Sequence, residues 1–433
     1  MYKPVMTTGI LLCRRGRGLL PWAAVVLAAL FLPRPAPAAE FELRPSITVR
    51  EEYNDNFFLN EDDKVDEFIT RVMPSIQFRY GAPLWTWDLK YTFDYVYYAR
   101  DKRDDEILHH LTLNGLIEAV KDRVFVRVAD DYGRVSLDVT RDFTRESTFR
   151  DQSNRNLLTI NPYYVFRVSP LLNVTTGYTY INTWYDDEQA VDKDEHIVSI
   201  EPRYELSPYV SIIGGYRFSY VDSEVNDYKR HDVYIGPRYE YFDQSFVYAR
   251  VGNSWTEYIG REKTSNIYWA AGITHAFPTF TGFVEAGVDY TEDPQGTVRR
   301  STRYLAGVRY DRERINANVS LGLTSYNNAE ISVATGDLRP SSDDTDKYGA
   351  TGALKYALTP NLTGTLDLTI ERLERDFLDT YTSRFLGGLR FEYLLLEETR
   401  LALSYYYTDS YSPRLPGDRY ENNRVFVEIS KRF

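Results

Sequence analysis

The sequence predicts an all-β protein: a transmembrane, antiparallel, up-and-down β-barrel of about 20 strands, with 18 strands as the alternative count. Three observations predict this fold. Long runs alternate between apolar and polar residues, and the connections between runs alternate between short and long. Aromatic residues make up 15% of a chain that is polar overall, and Tyr and Trp are favoured at membrane interfaces.

The alternation is clearest in WTWDLKYTFDYVYYA, residues 85–99, where one parity is aromatic or apolar and the other carries Thr, Asp and Lys. It recurs in NLTGTLDLTIE, residues 361–371. A period of two over ten or more residues is typical of a barrel strand with lipid on one face and water on the other. Helical periodicity competes nowhere after residue 38.

The connections predict the orientation of the barrel. Short ones fall at 81–84, 121–123, 169–171, 207–209, 243–245, 278–280, 311–314, 359–361 and 396–399. Longer polar stretches lie between them, including 60–67, 136–154 and 327–347. Outer-membrane barrels have short periplasmic turns and long extracellular loops, so residues 39–433 are predicted to form one barrel domain.

A short unit of the form x-[P/V/L]-[R/K]-[Y/F] precedes the short turns, as in EPRYEL (201–206) and GPRYEY (236–241). With its weaker variants and the chain end EISKRF, it occurs ten times at hairpin spacing, which predicts about 20 strands. Pro74, Pro162, Pro202 and Pro237 fall inside these predicted strands. Because proline cannot donate to a ladder, we expect a bulge or a frayed rim there.

The two ends predict export and sorting. Residues 1–38 have the layout of a secretory signal peptide, with basic residues, an apolar stretch and Ala36-Pro37-Ala38 as a cleavage site. Their removal takes away Cys13, the only cysteine, and five basic residues, which changes the net charge from −12 to −17. At the other end Val427, Ile429 and Phe433 share one parity, as in the C-terminal sorting strand of outer-membrane proteins, although Lys431 departs from that pattern.

RPSITVREEYNDNFFLN (44–60) and DEFITRVMPSIQFRY (66–80) resemble the opening of a family of β-barrel porins of bacterial outer membranes. Some members are associated with exopolysaccharide and exosortase (PEP-CTERM) systems. The resemblance rests on Glu52, Tyr53, Asp55, Asn56, Leu59, Asp66, Thr70 and Pro74. It implies a porin-like channel in the bacterial outer membrane and supplies no catalytic residues.

If apolar positions face lipid, the repeated unit places a belt of basic residues inside the barrel near the periplasmic mouth. The belt consists of Arg203, Arg238, Arg309, Lys355 and Arg390. It would select anionic solutes and guide an acidic glycan, with Tyr163 and Tyr234 stacking on sugar rings. Alternatively, these residues simply pair with glutamates on adjacent strands.

A barrel this wide usually has its lumen narrowed. Because the first strand is predicted to begin by Leu43, we expect no N-terminal plug domain. Either a long loop, 136–154 or 327–347, folds inward, or a partner fills the lumen. Expected partners are outer-membrane lipid and lipopolysaccharide, the barrel assembly machinery and polysaccharide-export components.

The leading function is passage of exopolysaccharide or other polar solutes; the alternative is a structural or assembly anchor without transport. A less favoured reading is a hydrolase using His109 or His110, but adjacent residues of a strand point to opposite faces. We therefore predict no enzyme activity, no catalytic residues, and no cofactor or metal, since the acidic runs lack metal-ligand spacing. The negative charge argues against nucleic-acid binding.

Overall fold

The computed structural model describes residues 39–137, 152–224, 227–258, 263–292, 298–328, 345–376 and 378–433. These form one closed antiparallel sheet of 20 strands, which confirms the predicted fold and strand number. One 3-10 turn, Pro416–Asp418, precedes the last strand. No helix in the described ranges is both long and apolar enough to cross a membrane.

The strands run in chain order around the barrel. They are β1 Glu40–Asn54, β2 Glu67–Ala82, β3 Trp85–Tyr98, β4 Glu106–Val120, β5 Val124–Ser136, β6 Gln152–Ser169, β7 Leu172–Tyr185, β8 Lys193–Ser207, β9 Val210–Ser223, β10 Tyr228–Phe242, β11 Ser245–Tyr258, β12 Thr264–Ala276, β13 Thr281–Glu292, β14 Val298–Arg312, β15 Ile315–Asn328, β16 Thr345–Ala357, β17 Leu362–Arg375, β18 Thr380–Leu396, β19 Thr399–Tyr411 and β20 Tyr420–Arg432.

Pairing of β1 with β20 closes the sheet, from Ser46 opposite Arg432 to Asn54 opposite Arg424. The amide of Phe433 adds a bond to the carbonyl of Pro45 at 2.9 Å. Closure matters because unpaired backbone groups are costly in hydrocarbon, so only helices and closed barrels span bilayers. Each of the nine predicted short turns joins the end of an even-numbered strand to the start of the next odd-numbered strand, which confirms that prediction.

The two faces of the wall differ as the alternation predicts. On β1 the odd residues Phe41, Leu43, Ile47 and Val49 are 36–64% exposed on the outside. The even residues between them face the lumen and include Glu42, Arg44 and Arg50. An apolar band outside a closed barrel and a polar wall inside define an outer-membrane protein.

The prediction for the prolines was wrong. Pro162 and Pro237 lie within continuous strands, opposite Val126 and Ile212 respectively. On the other side of each strand two pairs are missing, but the register is the same before and after the gap. Bulges occur instead beside the short turns, for example between Glu240 and Phe242.

The gap at Pro162 has a local replacement. Pro162 has no N–H to give to the carbonyl of Tyr178, which the register places opposite it. The side-chain Nδ2 of Asn161 donates to that carbonyl at 3.1 Å. A side chain thus satisfies the acceptor that the proline leaves open, and the ladder continues without a bulge.

Polar pairs repeat on the outer wall with one diagonal geometry. A tyrosine hydroxyl of an odd strand is hydrogen-bonded to a residue two positions beyond its direct partner on the next strand. The pairs are Tyr91 with His109 at 2.8 Å, Tyr178 with His196 at 2.6 Å, Tyr216 with His231 at 2.8 Å and Tyr405 with Asn423 at 2.7 Å. Each pair joins two polar groups on the otherwise apolar outer face, which lowers the cost of placing them there.

Candidate functional site

The inner wall is the candidate functional surface, because it is the face that a solute in the lumen would meet. All five residues of the predicted basic belt lie on it, close to the short-turn ends of β8, β10, β14, β16 and β18. Register places Arg203 opposite Asn173 and Arg309 opposite Asn318, on the polar face of their neighbours.

The belt residues differ in their partners. Nε of Arg203 lies 2.6 Å from Glu205 and that of Arg238 lies 3.1 Å from Glu240, so these pairs join residues of one strand rather than adjacent strands. Arg390 bonds Glu428 of β20 at 3.0 Å. Arg309 and Lys355 form no ion pair with any described residue, so their charges face the lumen.

A network of buried charges crosses the junction of β1 and β20; we call it the seam network. Glu428 bonds Arg50 at 2.7 Å and Arg390 at 3.0 Å. Arg424 bonds Glu52 at 2.9 Å, and the Glu52 side chain is only 4% exposed. Buried charges are tolerated when paired and hydrogen-bonded, so this network holds the first and last strands together.

The seam network extends to β4 through Asp94. This carboxylate, 1% exposed, forms an ion pair with Arg71 of β2. Nε2 of His110 lies 3.7 Å from Oδ2 of the same carboxylate. The inner wall from β18 through β20 and β1 to β4 therefore carries charges that neutralise one another.

Residues 55–66, which we call the first loop, fold into the long-loop end of the lumen. Phe57 is 4% exposed and packs on the inner-wall residues Ile69, Val96, Tyr98 and Leu108. Asn56 donates to the carbonyl of Glu421 at 2.9 Å. Sequence reasoning assigned an inward fold to 136–154 or 327–347, most of which lies outside the described residues. The signal that it missed was Phe57-Phe58-Leu59, an apolar run in a loop.

The neighbouring loop is held by a buried carboxylate. Glu67 is fully buried and accepts hydrogen bonds from the amides of Phe68 at 2.9 Å, Arg100 at 2.8 Å and Lys102 at 3.3 Å. Three backbone donors compensate the burial of its charge. The loop after β3 is thereby fixed beside the first loop.

On the opposite side of the lumen, aromatic rings lie over glycines of an adjacent strand. A Cβ on Gly215 would lie 2.3 Å from the ring of Tyr234, and one on Gly252 would lie 2.4 Å from that of Tyr268. Tyr248 covers Gly272 and Phe283 covers Gly307 at 2.6 Å in the same way. Only glycine lets these rings approach the backbone so closely.

Arginines stand among these rings. Cζ of Arg250 is 5.5 Å from the ring centre of Tyr234. The side chain of Arg303 is 61% exposed, with Glu285 3.9 Å away. We define the aromatic–arginine patch as Tyr234, Tyr248, Tyr268, Arg217, Arg250 and Arg303. Sequence reasoning singled out only Tyr234 of this set, although the inward glycines of β9, β11 and β12 were a signal for the others.

Of the five histidines only His110 faces the lumen, and the other four lie on the outer face. His109 points outward to Tyr91, whereas His110 points inward to Asp94, as expected for neighbours on a strand. Among the described residues, no cluster of three or more His, Cys, Asp or Glu side chains is placed to hold a metal ion.

In the C-terminal strand Val427, Ile429 and Phe433 are 56%, 45% and 66% exposed on the outer face.

The fold and this inner wall define the class: a bacterial outer-membrane β-barrel whose polar face lines a lumen. Its architecture is similar to that of the siderophore receptor PirA from Pseudomonas aeruginosa, with a TM-score of 0.51 and 10% sequence identity over 93% of this chain and 81% of that one. It is also similar to the FrpB iron transporter of Neisseria meningitidis, with a TM-score of 0.52 and 9% identity over 90% of this chain and 81% of that one.

The ferric enterobactin receptor PfeA of P. aeruginosa, in a mutant form, gives a TM-score of 0.50 and 9% identity over 90% of this chain and 80% of that one. At these identities the likeness shows the fold alone. No protein-family model and no curated protein matches the sequence.

Proposed function

We propose that this protein is a channel that passes hydrophilic solutes across the outer membrane, with exopolysaccharide as the favoured cargo. The observation that carries the proposal is a polar inner wall in a closed barrel of 20 strands. Porins of 16–18 strands already leave an aqueous channel. Arg309 and Lys355 are exposed inside the barrel and form no ion pair with any described residue. A barrel that served only as an anchor would have no use for such charges.

The polysaccharide part rests on two kinds of support. Rings on the inner wall offer apolar faces beside polar groups, which is how carbohydrate is usually held. The resemblance to porins of exopolysaccharide systems favours the same cargo. Export components, lipopolysaccharide and the barrel assembly machinery are the partners that fit this role. Catalysis is not part of the proposal, since His109 and His110 face different sides of the wall.

The test of the channel is conductance. The full chain is reconstituted in planar bilayers, and in parallel in liposomes whose swelling reports the uptake of sugars of increasing size. A stable conductance with size-limited sugar entry is expected. Correctly folded barrels that neither conduct nor admit sugars would overturn the channel in favour of the anchor.

The belt is tested by pairs of variants. Replacing Arg309 and Lys355 by Ala removes two charges that have no ion-pair partner in the part of the chain that the structure describes. It is expected to shift the anion/cation permeability ratio toward cations. The matched control replaces Arg203 and Arg238 by Ala together with their partners Glu205 and Glu240. It removes equal numbers of positive and negative charges, so a smaller shift is expected. Unchanged permeability ratios in both variants would contradict a selective belt.

A further inference from the structure

We propose that the aromatic–arginine patch is a binding site for anionic sugars, of the kind that carry a carboxylate on a pyranose ring. This inference rests on the proposed function and deepens it, since it names the chemical class of cargo. The patch lies on β9–β14, away from both the seam network and the first loop. Only Tyr234 belongs to the residues that the sequence singled out.

The rings provide the apolar part of the site. Tyr234 and Tyr268 lie on opposite sides of Gly252, which register places opposite both of them. Each ring lies against a glycine backbone and is only half-buried, so part of it is exposed to the lumen. A flat apolar face bordered by polar groups suits a sugar, which has an apolar ring face and a polar rim.

The arginines provide the charge. Arg217 and Arg250 are exposed and form no ion pair with any described residue, and Arg303 is 61% exposed beside Glu285. A guanidinium binds a carboxylate through two parallel hydrogen bonds, which fixes orientation as well as charge. Exposed arginines beside half-buried rings therefore match a carboxylate attached to a sugar ring.

The nearby acids are already engaged. Glu201 accepts the hydroxyl hydrogen of Tyr234, and Asp232 is bonded by Arg230 at 3.0 Å. Accepting a hydrogen bond leaves Glu201 charged, and Glu285 lies 3.9 Å from Arg303. Arg217, Arg250 and Arg303 therefore outnumber these two carboxylates, and the patch keeps a positive surplus toward the lumen. The engaged hydroxyl also holds the ring of Tyr234 in place. The site is therefore preorganised, which lowers the entropic cost of binding.

The extent of the patch favours a chain over a single sugar. Adjacent strands are about 4.8 Å apart, so the five steps from β9 to β14 span roughly 24 Å around the wall. Tyr234 and Tyr268 are two strands apart and so roughly 10 Å from each other. Two rings at this separation contact different sugar units of one oligosaccharide.

The experiment is isothermal titration of the full protein in detergent with short oligogalacturonates, and with malto-oligosaccharides of the same length as neutral probes. R217Q/R250Q/R303Q is expected to weaken oligogalacturonate binding by about tenfold or more and to leave maltooligosaccharide binding unchanged. Y234L/Y268L is expected to weaken binding of both. The matched control, R79Q/K90Q/R400Q, removes three inward charges from β2, β3 and β19 and is expected to bind oligogalacturonate as the parent does.

Equal losses in the control and in R217Q/R250Q/R303Q would overturn the site, since binding would then follow only the overall charge of the lumen. Absence of oligogalacturonate binding to the parent protein would do so as well. Conductance of the same preparations separates the two proposals. A conducting barrel without binding refutes the patch and leaves the channel, whereas binding without conductance refutes the channel.

Discussion

The inner wall at the seam and the inner wall at the patch both carry arginines and acidic residues. At the seam these charges are buried and paired, whereas on the patch the arginines are exposed. At the seam, Glu52 and Asp94 are buried and each is bonded to an arginine across a strand boundary. On the patch, Arg217 and Arg303 are exposed to the lumen. A buried charge must be paired, whereas an exposed one is available to a solute. The difference separates charges that hold the barrel closed from charges that meet its cargo.

The largest effect is expected from breaking the seam. Replacing Glu52 by Gln removes the carboxylate that lies 2.9 Å from Arg424, whose side chain is 12% exposed. Loss of one partner of a buried pair costs about 3–5 kcal/mol. Urea unfolding in lipid vesicles, followed by tryptophan fluorescence, measures the free energy of unfolding. Glu285→Gln on the patch wall is the control; equal losses in the two variants would remove the distinction between the walls.

The first loop gives the next effect. Phe57→Ala removes the ring that packs on Ile69, Val96 and Leu108, at a cost of about 3 kcal/mol. Because the loop, and not the sheet, loses its anchor, we expect faster hydrogen exchange of residues 55–66 and a larger single-channel conductance. Phe242→Ala is the control, since Phe242 is 65% exposed. Unchanged loop exchange would show that the backbone contacts of Asn56 suffice to hold it.

A smaller effect is expected from displacing one ring of the patch. A methyl group on Gly215 would lie 2.3 Å from the ring of Tyr234, so Gly215→Ala must move that ring. Overpacking of this kind costs about 1–3 kcal/mol. We expect a modest fall in Tm together with weaker oligogalacturonate binding. In the control Gly322→Ala, the nearest atom is 3.6 Å away, and retention of binding by both variants alike would argue against a fixed ring.

The smallest effect on stability is expected at Arg303. Its side chain is 61% exposed, so Arg303→Gln is expected to change the free energy of unfolding by less than about 0.5 kcal/mol. Arg424→Gln at the seam is the comparison variant, because it makes the same substitution at a side chain that is only 12% exposed. It is expected to lower the free energy of unfolding more than Arg303→Gln does. Urea titrations of the two proteins side by side would reveal whether burial, and not residue type, sets the loss.

The sequence predicted the barrel, its strand number and its turns because two solvents impose one parity on each strand. It also placed the five belt residues on one face. It did not predict that Arg203 and Arg238 pair with glutamates of their own strands. Whether an arginine reaches a glutamate on its own strand or on the neighbouring one depends on its side-chain torsion angles, which the sequence pattern does not determine.

Features that depend on the neighbouring strand were missed. The ring of Tyr234 lies over Gly215 because the register of β10 against β9 places the two residues opposite each other. The sequence of one strand alone does not reveal that register. The hydrogen bond from the Asn161 side chain to the carbonyl of Tyr178, which compensates for the missing N–H of Pro162, also depends on the register between β6 and β7. Parity along a strand is a local property, whereas register is set between segments that are distant in the chain.

Closure of the ladder by β20 also governs what an incomplete chain would look like. β20 supplies both the ladder that pairs with β1 and Glu428, which bonds Arg50 from 378 residues further along the chain. A polypeptide cut short before Tyr420 would leave β1 and β19 as two free edges with rows of unsatisfied amides, the template on which strands of other molecules add. Such a fragment would aggregate or be degraded by proteases instead of forming a narrower barrel.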